Sequence, residues 1–127
     1  MKNYFDLKGN VAIVTGCSSG LSVQMAEDLA NQGCSIVAVA RRKELLDKVC
    51  AEIKEKFGVE TLPVRCDITD TDSVNAMVDQ VMEKFGRIDI LINNAGTGAV
   101  APAEDITDDQ FAHEMEIDLF GNFTCAR

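Results

Sequence analysis

The 127 residues contain no tryptophan, one tyrosine, one histidine and two prolines. A single histidine, with five cysteines (Cys17, Cys34, Cys50, Cys66, Cys125) of which no two form a Cys-x-x-Cys pair, supplies no metal-ligand set. The thiols therefore read as reduced packing groups rather than a disulfide framework. Long apolar runs are missing from the N-terminal stretch as well. Its longest, Val11 to Val14, is too short for a signal-peptide core or a membrane span, which points to the cytoplasm. Positive charge is scarce: 12 Lys and Arg stand against 21 Asp and Glu, a net charge of −9. Such a surface repels nucleic acid and anionic membranes, so neither is expected as a partner. Internal repeats, linkers and low-complexity tracts are absent too.

What remains is the composition of an ordinary globular domain, 46% hydrophobic and 26% charged, in a chain of one-domain length. Four short apolar runs, Val11–Thr15, Ser35–Ala40, Thr61–Cys66 and Ile88–Asn93, are bounded by turn residues and predict strands covered on both faces. Amphipathic stretches lie between them. The first, Leu21–Gln32, puts Leu21, Met25, Ala26, Leu29 and Ala30 on one face. The second carries Leu45, Leu46, Val49, Cys50, Ile53 and Phe57, and the third Val74, Met77, Val78, Val81 and Phe85. Gly33, Gly58 and Gly86 supply left-handed stops after these three. Thr69 with Asp72, and Thr107 with Gln110, have capping-box spacing for the third and fourth helices. The fourth begins near Asp108 and carries Phe111, Met115, Leu119 and Phe123 on its apolar face. The alternating order predicts an α/β fold, a parallel sheet with helices on both faces.

Chemistry concentrates at the strand ends. "TGCSSGLS", Thr15 to Ser22, joins the first strand to the first helix and contains Gly16 and Gly20. Glycines at a helix N-terminus let the backbone approach a phosphate, and the unpaired N–H groups there attract it. Gly-x-x-x-Gly also marks plain tight turns. Here it sits where a mononucleotide-binding half requires it. A third glycine is usual at the position of Ser22, whose hydroxymethyl group is expected to weaken cofactor binding or shift the turn. After the second strand, "VAVARRK" places Arg41, Arg42 and Lys43 at a helix start, where cations oppose the helix dipole. The triplet reads either as a solvated helix end or as guanidinium groups that receive a 2′-phosphate. The latter favours NADP, with NAD as the alternative.

Thr15-Gly16-x-x-x-Gly20, Asp67 after the third strand and "NNAG" (Asn93 to Gly96) after the fourth together resemble the short-chain dehydrogenase/reductase family over nearly the whole chain. The resemblance implies a doubly wound, Rossmann-like sheet of order 3-2-1-4 across residues 1–127, an incomplete single domain. It implies that Gly16, Ser18, Ser19, Gly20 and Leu21 line the pyrophosphate and adenosine ribose, that Arg41 and Arg42 meet the 2′-phosphate, and that Asp67 and Ile68 flank the adenine. Asn93, Ala95 and Gly96 would run beneath the ribose toward the nicotinamide; small residues there also let strand and loop backbones pack closely. The implied activity is an NAD(P)-dependent oxidoreductase on an alcohol or carbonyl, with sugar acids such as gluconate, 3-oxoacyl thioesters and steroid alcohols as candidate small-molecule substrates.

The resemblance also exposes departures. Family members run to about twice this length and work through a serine and a Tyr-x-x-x-Lys pair beyond the fourth helix; the tyrosine trades a proton with the substrate oxygen. The only such spacing here is Tyr4 with Lys8, ahead of the first strand. Asp118 stands at the family's catalytic asparagine and cannot donate through an amide. The chain thus reads as the cofactor-binding half of a longer enzyme, inactive alone, or as a non-catalytic nucleotide-binding or assembly module. With the sheet ending at "IDILINN", an apolar edge is exposed and self-association through the fourth strand and fourth helix is expected. His113 reads as a surface or capping residue, and Cys17, in the glycine turn, as a small packing side chain.

Overall fold

A computed structural model of the chain describes residues 2–98 and 100–127. Four strands form one parallel sheet in the order β3-β2-β1-β4: β1 (Val11–Thr15), β2 (Ser35–Ala40), β3 (Thr61–Arg65) and β4 (Ile90–Ile92). The doubly wound order expected from the sequence is therefore present. Side chains alternate across the pleat and divide the interior into two cores. Ala12, Val14, Ile36 and Ala38 point to one face, under α1 (Leu21–Asn31) and α2 (Lys43–Phe57). Val11, Ile13, Val37, Val39 and Val64 point to the other, under α3 (Thr71–Phe85). Each fully buried Ile or Val contributes roughly 1.5–3 kcal/mol.

The helices keep their expected places with local changes of phase. On α1 the buried face is Ser22, Ala26 and Ala30, and Leu21 turns outward, 68% exposed. A first-turn leucine is hidden only if another element covers that turn, and none does. Gly58 and Gly86 close α2 and α3 in the left-handed region, at φ +69° and +73°. Asp70, not Thr69, caps α3: its carboxylate accepts from Asp72 N at 3.0 Å, whereas Thr69 turns its hydroxyl to Asp67 Oδ1 at 2.7 Å. The box at α4 (Asp108–Met115) is as the sequence implied, with Thr107 Oγ1 accepting from Gln110 N and Gln110 Oε1 from Thr107 N.

Larger differences lie toward the C-terminus. The fourth strand is three residues, not six, because the Asp89 carboxylate takes Val11 N at 2.8 Å ahead of the ladder, while Asn93 leaves it to bond Asn122. The fourth helix runs from α4 through a π-helical segment, Glu116–Gly121, into α5 (Asn122–Ala126) with right-handed dihedrals at both joints. That segment changes the phase. Ile117 and Cys125 pack on the sheet, and Gly121 lies against Ile68, where an added Cβ would come within 2.7 Å of Ile68 Cγ1. The expected apolar face is outside: Phe111, ahead of that segment, and Phe123, after it, are each 61% exposed, and Leu119 within it is 51% exposed. Among the described residues, no helix is long and apolar enough to cross a membrane, and no cluster of His, Cys, Asp and Glu could hold a metal ion.

Candidate cofactor site

The turn after β1 is built to bring backbone close to backbone. Gly16 has φ +65°, and a Cβ there would stand 3.0 Å from Ala95 Cα and 3.1 Å from Asn94 Nδ2. Only glycine satisfies both conditions. Gly20, at φ +73°, precedes α1, which begins with no side-chain cap and no acidic residue in its first turn. Its leading amides and the positive end of its dipole are thus left for an external anion. Ser22 does not disturb this arrangement. Its hydroxyl is fully buried and lies 2.6 Å from Gly16 O and 3.0 Å from Ser19 O, donating into the turn it was expected to distort. The neighbouring Cys17 thiol is also fully buried, which pushes its pKa up to about 12. It is a packing group, not a nucleophile.

Thr15 ties this turn to the loop after β4. Its buried hydroxyl oxygen accepts from Asn94 N and Ala95 N, both at 3.0 Å, and donates to Ile92 O at 3.3 Å. Farther along, Asp118 Oδ1 accepts from Thr97 N at 2.8 Å, so this carboxylate on the π-helical segment holds the loop by its backbone. Asn122 Nδ2 donates to Asp118 O at 2.8 Å and reaches Ala95 O at 3.4 Å, which binds the helix to the same loop.

The loops at the C-terminal ends of β1, β2, β3 and β4 enclose one cavity of about 620 Å³, the size of a small-ligand site. Gly16, Ser18 and Ser19 form one wall, Arg41 and Arg42 another; Asp67 and Ile68 form a third, Ala95 and Gly96 a fourth. Asp67 is held below the usual carboxylate range, first by the hydroxyl and backbone N–H of Thr69 and then by the nearby Arg41 and Arg65. Gly20, Leu21 and Asn93, also singled out from the sequence, are not on these walls: Leu21 faces solvent, and Asn93 donates to Asn122 O at 3.2 Å. Val39, Ala40, Cys66, Thr69, Thr97, His113, Glu116 and Ile117 complete the lining. The last three lie at i, i+3, i+4 spacing, a signal of a shared helix face that the sequence offered and the apolar stripe obscured. Tyr4 is 82% exposed in the segment before β1 and takes no part in the cavity.

The cavity and the turn beside it suit a dinucleotide in three ways: an uncapped helix start next to the turn, a glycine that admits close backbone approach, and arginines with no carboxylate oxygen within 4 Å among the described residues. The family model for short chain dehydrogenase matches residues 10–127. The chain belongs to the short-chain dehydrogenase family. It is 43% identical over 109 residues to oxidoreductase BOA17 of Botryotinia fuckeliana (strain B05.10), covering 85% of this chain and 38% of that one. Its structure is similar to L-sorbose reductase from Gluconobacter frateurii complexed with NADPH and L-sorbose (TM-score 0.91, 37% identity, 97% of this chain and 47% of that one). A similar match is NAD+-bound xylitol dehydrogenase (TM-score 0.90, 38% identity, 94% of this chain and 46% of that one). The chain spans less than half the length of these relatives.

Proposed function

We propose that this chain is the dinucleotide-binding half of a short-chain oxidoreductase acting on an alcohol or carbonyl, and that it prefers NADP to NAD. The observation that carries the reading is the Gly16–Ser19 turn, which leads into the uncapped start of α1 and shares the walls of one cavity with Arg41 and Arg42. Ser18, Ser19 and the backbone from Gly16 to Leu21 would hold the pyrophosphate and adenosine ribose; Arg41 and Arg42 would receive the 2′-phosphate. Asp67 and Ile68 would flank the adenine, and Ala95 and Gly96 would run beneath the nicotinamide ribose, with Asn93 holding their loop to the last helix through Asn122 O. The nicotinamide supplies or accepts hydride when bound. A dianionic 2′-phosphate suits two arginines with no competing carboxylate in contact, whereas the ribose hydroxyls of NAD call for an acidic residue at the end of β2.

Sugar alcohols and ketoses join the sugar acids, acyl thioesters and steroids as candidate substrates, since relatives include L-sorbose reductase and D-threitol dehydrogenase. These 127 residues alone would bind cofactor without turnover: Tyr4 faces solvent away from the cavity, and Asp118 spends its carboxylate on Thr97 N. That second engagement equally favours a non-catalytic nucleotide-binding module. The apolar helix face and the edge of β4 support self-association, for which light scattering at rising concentration should show species larger than a monomer. Calorimetric titration with NADPH and with NADH tests the main reading. Tight NADPH binding with NADH at least tenfold weaker is expected; absence of binding by the folded chain would favour an assembly role.

A further inference from the structure

The end of β3 carries a third guanidinium, that of Arg65. Arg65 is the register partner of Ala40 in the parallel ladder, so it stands beside the last residue of β2. From there its Nε donates to Arg41 O at 3.1 Å. This is the carbonyl from which the chain turns into Arg42 and then α2, a helix with no side-chain cap at its start. Arg65 is exposed and, among the described residues, has no carboxylate oxygen within 4 Å.

Three arginines thus meet at one corner of a chain whose net charge is −9. Asp67 lies close enough for Arg41 and Arg65 to lower its pKa, yet neither arginine forms an ion pair with it within 4 Å, and its Oδ1 accepts instead from Thr69 N at 3.0 Å and Thr69 Oγ1 at 2.7 Å. A cationic corner with its backbone braced from the neighbouring strand suits a phosphomonoester, which carries close to two negative charges at neutral pH.

We infer that Arg65 is a positioning residue for the adenosine 2′-phosphate, bracing the Arg41–Arg42 turn through the Arg41 carbonyl so that both guanidinium groups point at one anion. This rests on the NADP reading and adds to it a residue that selects the cofactor without lining the cavity. A lost brace lets the turn sample other conformations, and the penalty falls on the ligand that needs the turn ordered.

Adenosine 2′,5′-bisphosphate and adenosine 5′-monophosphate differ only in the 2′-phosphate, so titrating the 127-residue chain with each isolates that contact. Arg65→Met should weaken the bisphosphate about tenfold and the monophosphate less than twofold; Arg65→Lys, which can still donate to the carbonyl, should recover part of the loss. Equal affinity of the wild-type chain for both probes would overturn the NADP reading and this inference together. A selective wild-type chain whose selectivity survives Arg65→Met would overturn the role of Arg65 alone. So would equal weakening of both probes, which marks a merely structural residue. Arg65→Gln gives the same comparison if the methionine variant melts early.

Discussion

Strands β1 and β4 are neighbours in one sheet, yet all five residues of β1 are buried and none of the three in β4 is. β1 has a partner strand on each side and helices over both faces, whereas β4 pairs on one side only, and the helix that follows it turns four large apolar side chains to solvent. The same kinds of residue therefore carry very different energies on the two sides. An isoleucine in β2 is core; a leucine or phenylalanine on the C-terminal helix is surface.

Substitutions that shorten these side chains should separate the two regions most widely. Ile36→Ala, at a site with no exposure, should cost roughly 3 kcal/mol in a urea titration. Leu119→Ala should cost less than about 0.5 kcal/mol. The readout is circular dichroism, since the chain has no tryptophan. An equal loss at both positions would mean that a second copy covers the helix.

Next in size is the seam joining the regions, where Gly16 meets Ala95. Gly16→Ala combines a left-handed φ with a 3.0 Å contact and should lower stability by about 1–3 kcal/mol and NADPH affinity at least tenfold. A smaller loss is expected at Ser22. Restoring glycine there removes a buried donor from two turn carbonyls, so Ser22→Gly should destabilise by about 1 kcal/mol instead of improving the site.

The thiols give the finest comparison. Burial raises Cys17 to about 12, with Cys50 nearby adding to the shift, and burial likewise raises Cys125 to about 11. Groups whose folded pKa exceeds the ordinary 9.0 stabilise fully below that pH, and the contribution is lost as pH rises toward 11 and 12. Alkaline melts should show that decline. Alkylation at pH 8 should modify half-buried Cys125 before Cys17.

The sequence made the well-covered region legible and the other less so. β1 and β2 have their expected bounds because an apolar run between turn residues has one solution when both faces are buried. β4 is shorter than its apolar run because a side chain, Asp89, competes for a ladder donor. Adjacent Thr69 and Asp70 both had capping chemistry, and only the fold decides which hydroxyl or carboxylate faces the helix. At the site, the walls contributed by strand ends were readable from motif position. His113, Glu116 and Ile117 depend on how the last helix crosses the sheet, and Arg65 on which side of β3 pairs with β2.

The π-helical segment is what sets that crossing. Such a segment is an α-helix with one residue to spare, and one residue is worth about 100° of rotation. Deleting a single position between Glu116 and Gly121 would leave Asp108–Met115 in place and swing Asn122–Ala126 by about a quarter turn. Cys125 would leave the sheet, and Asn122 its bond to the Asp118 carbonyl. The surplus residue works as an indexing tooth: point substitutions elsewhere on the helix change what it displays, but only a change in residue count changes where it points.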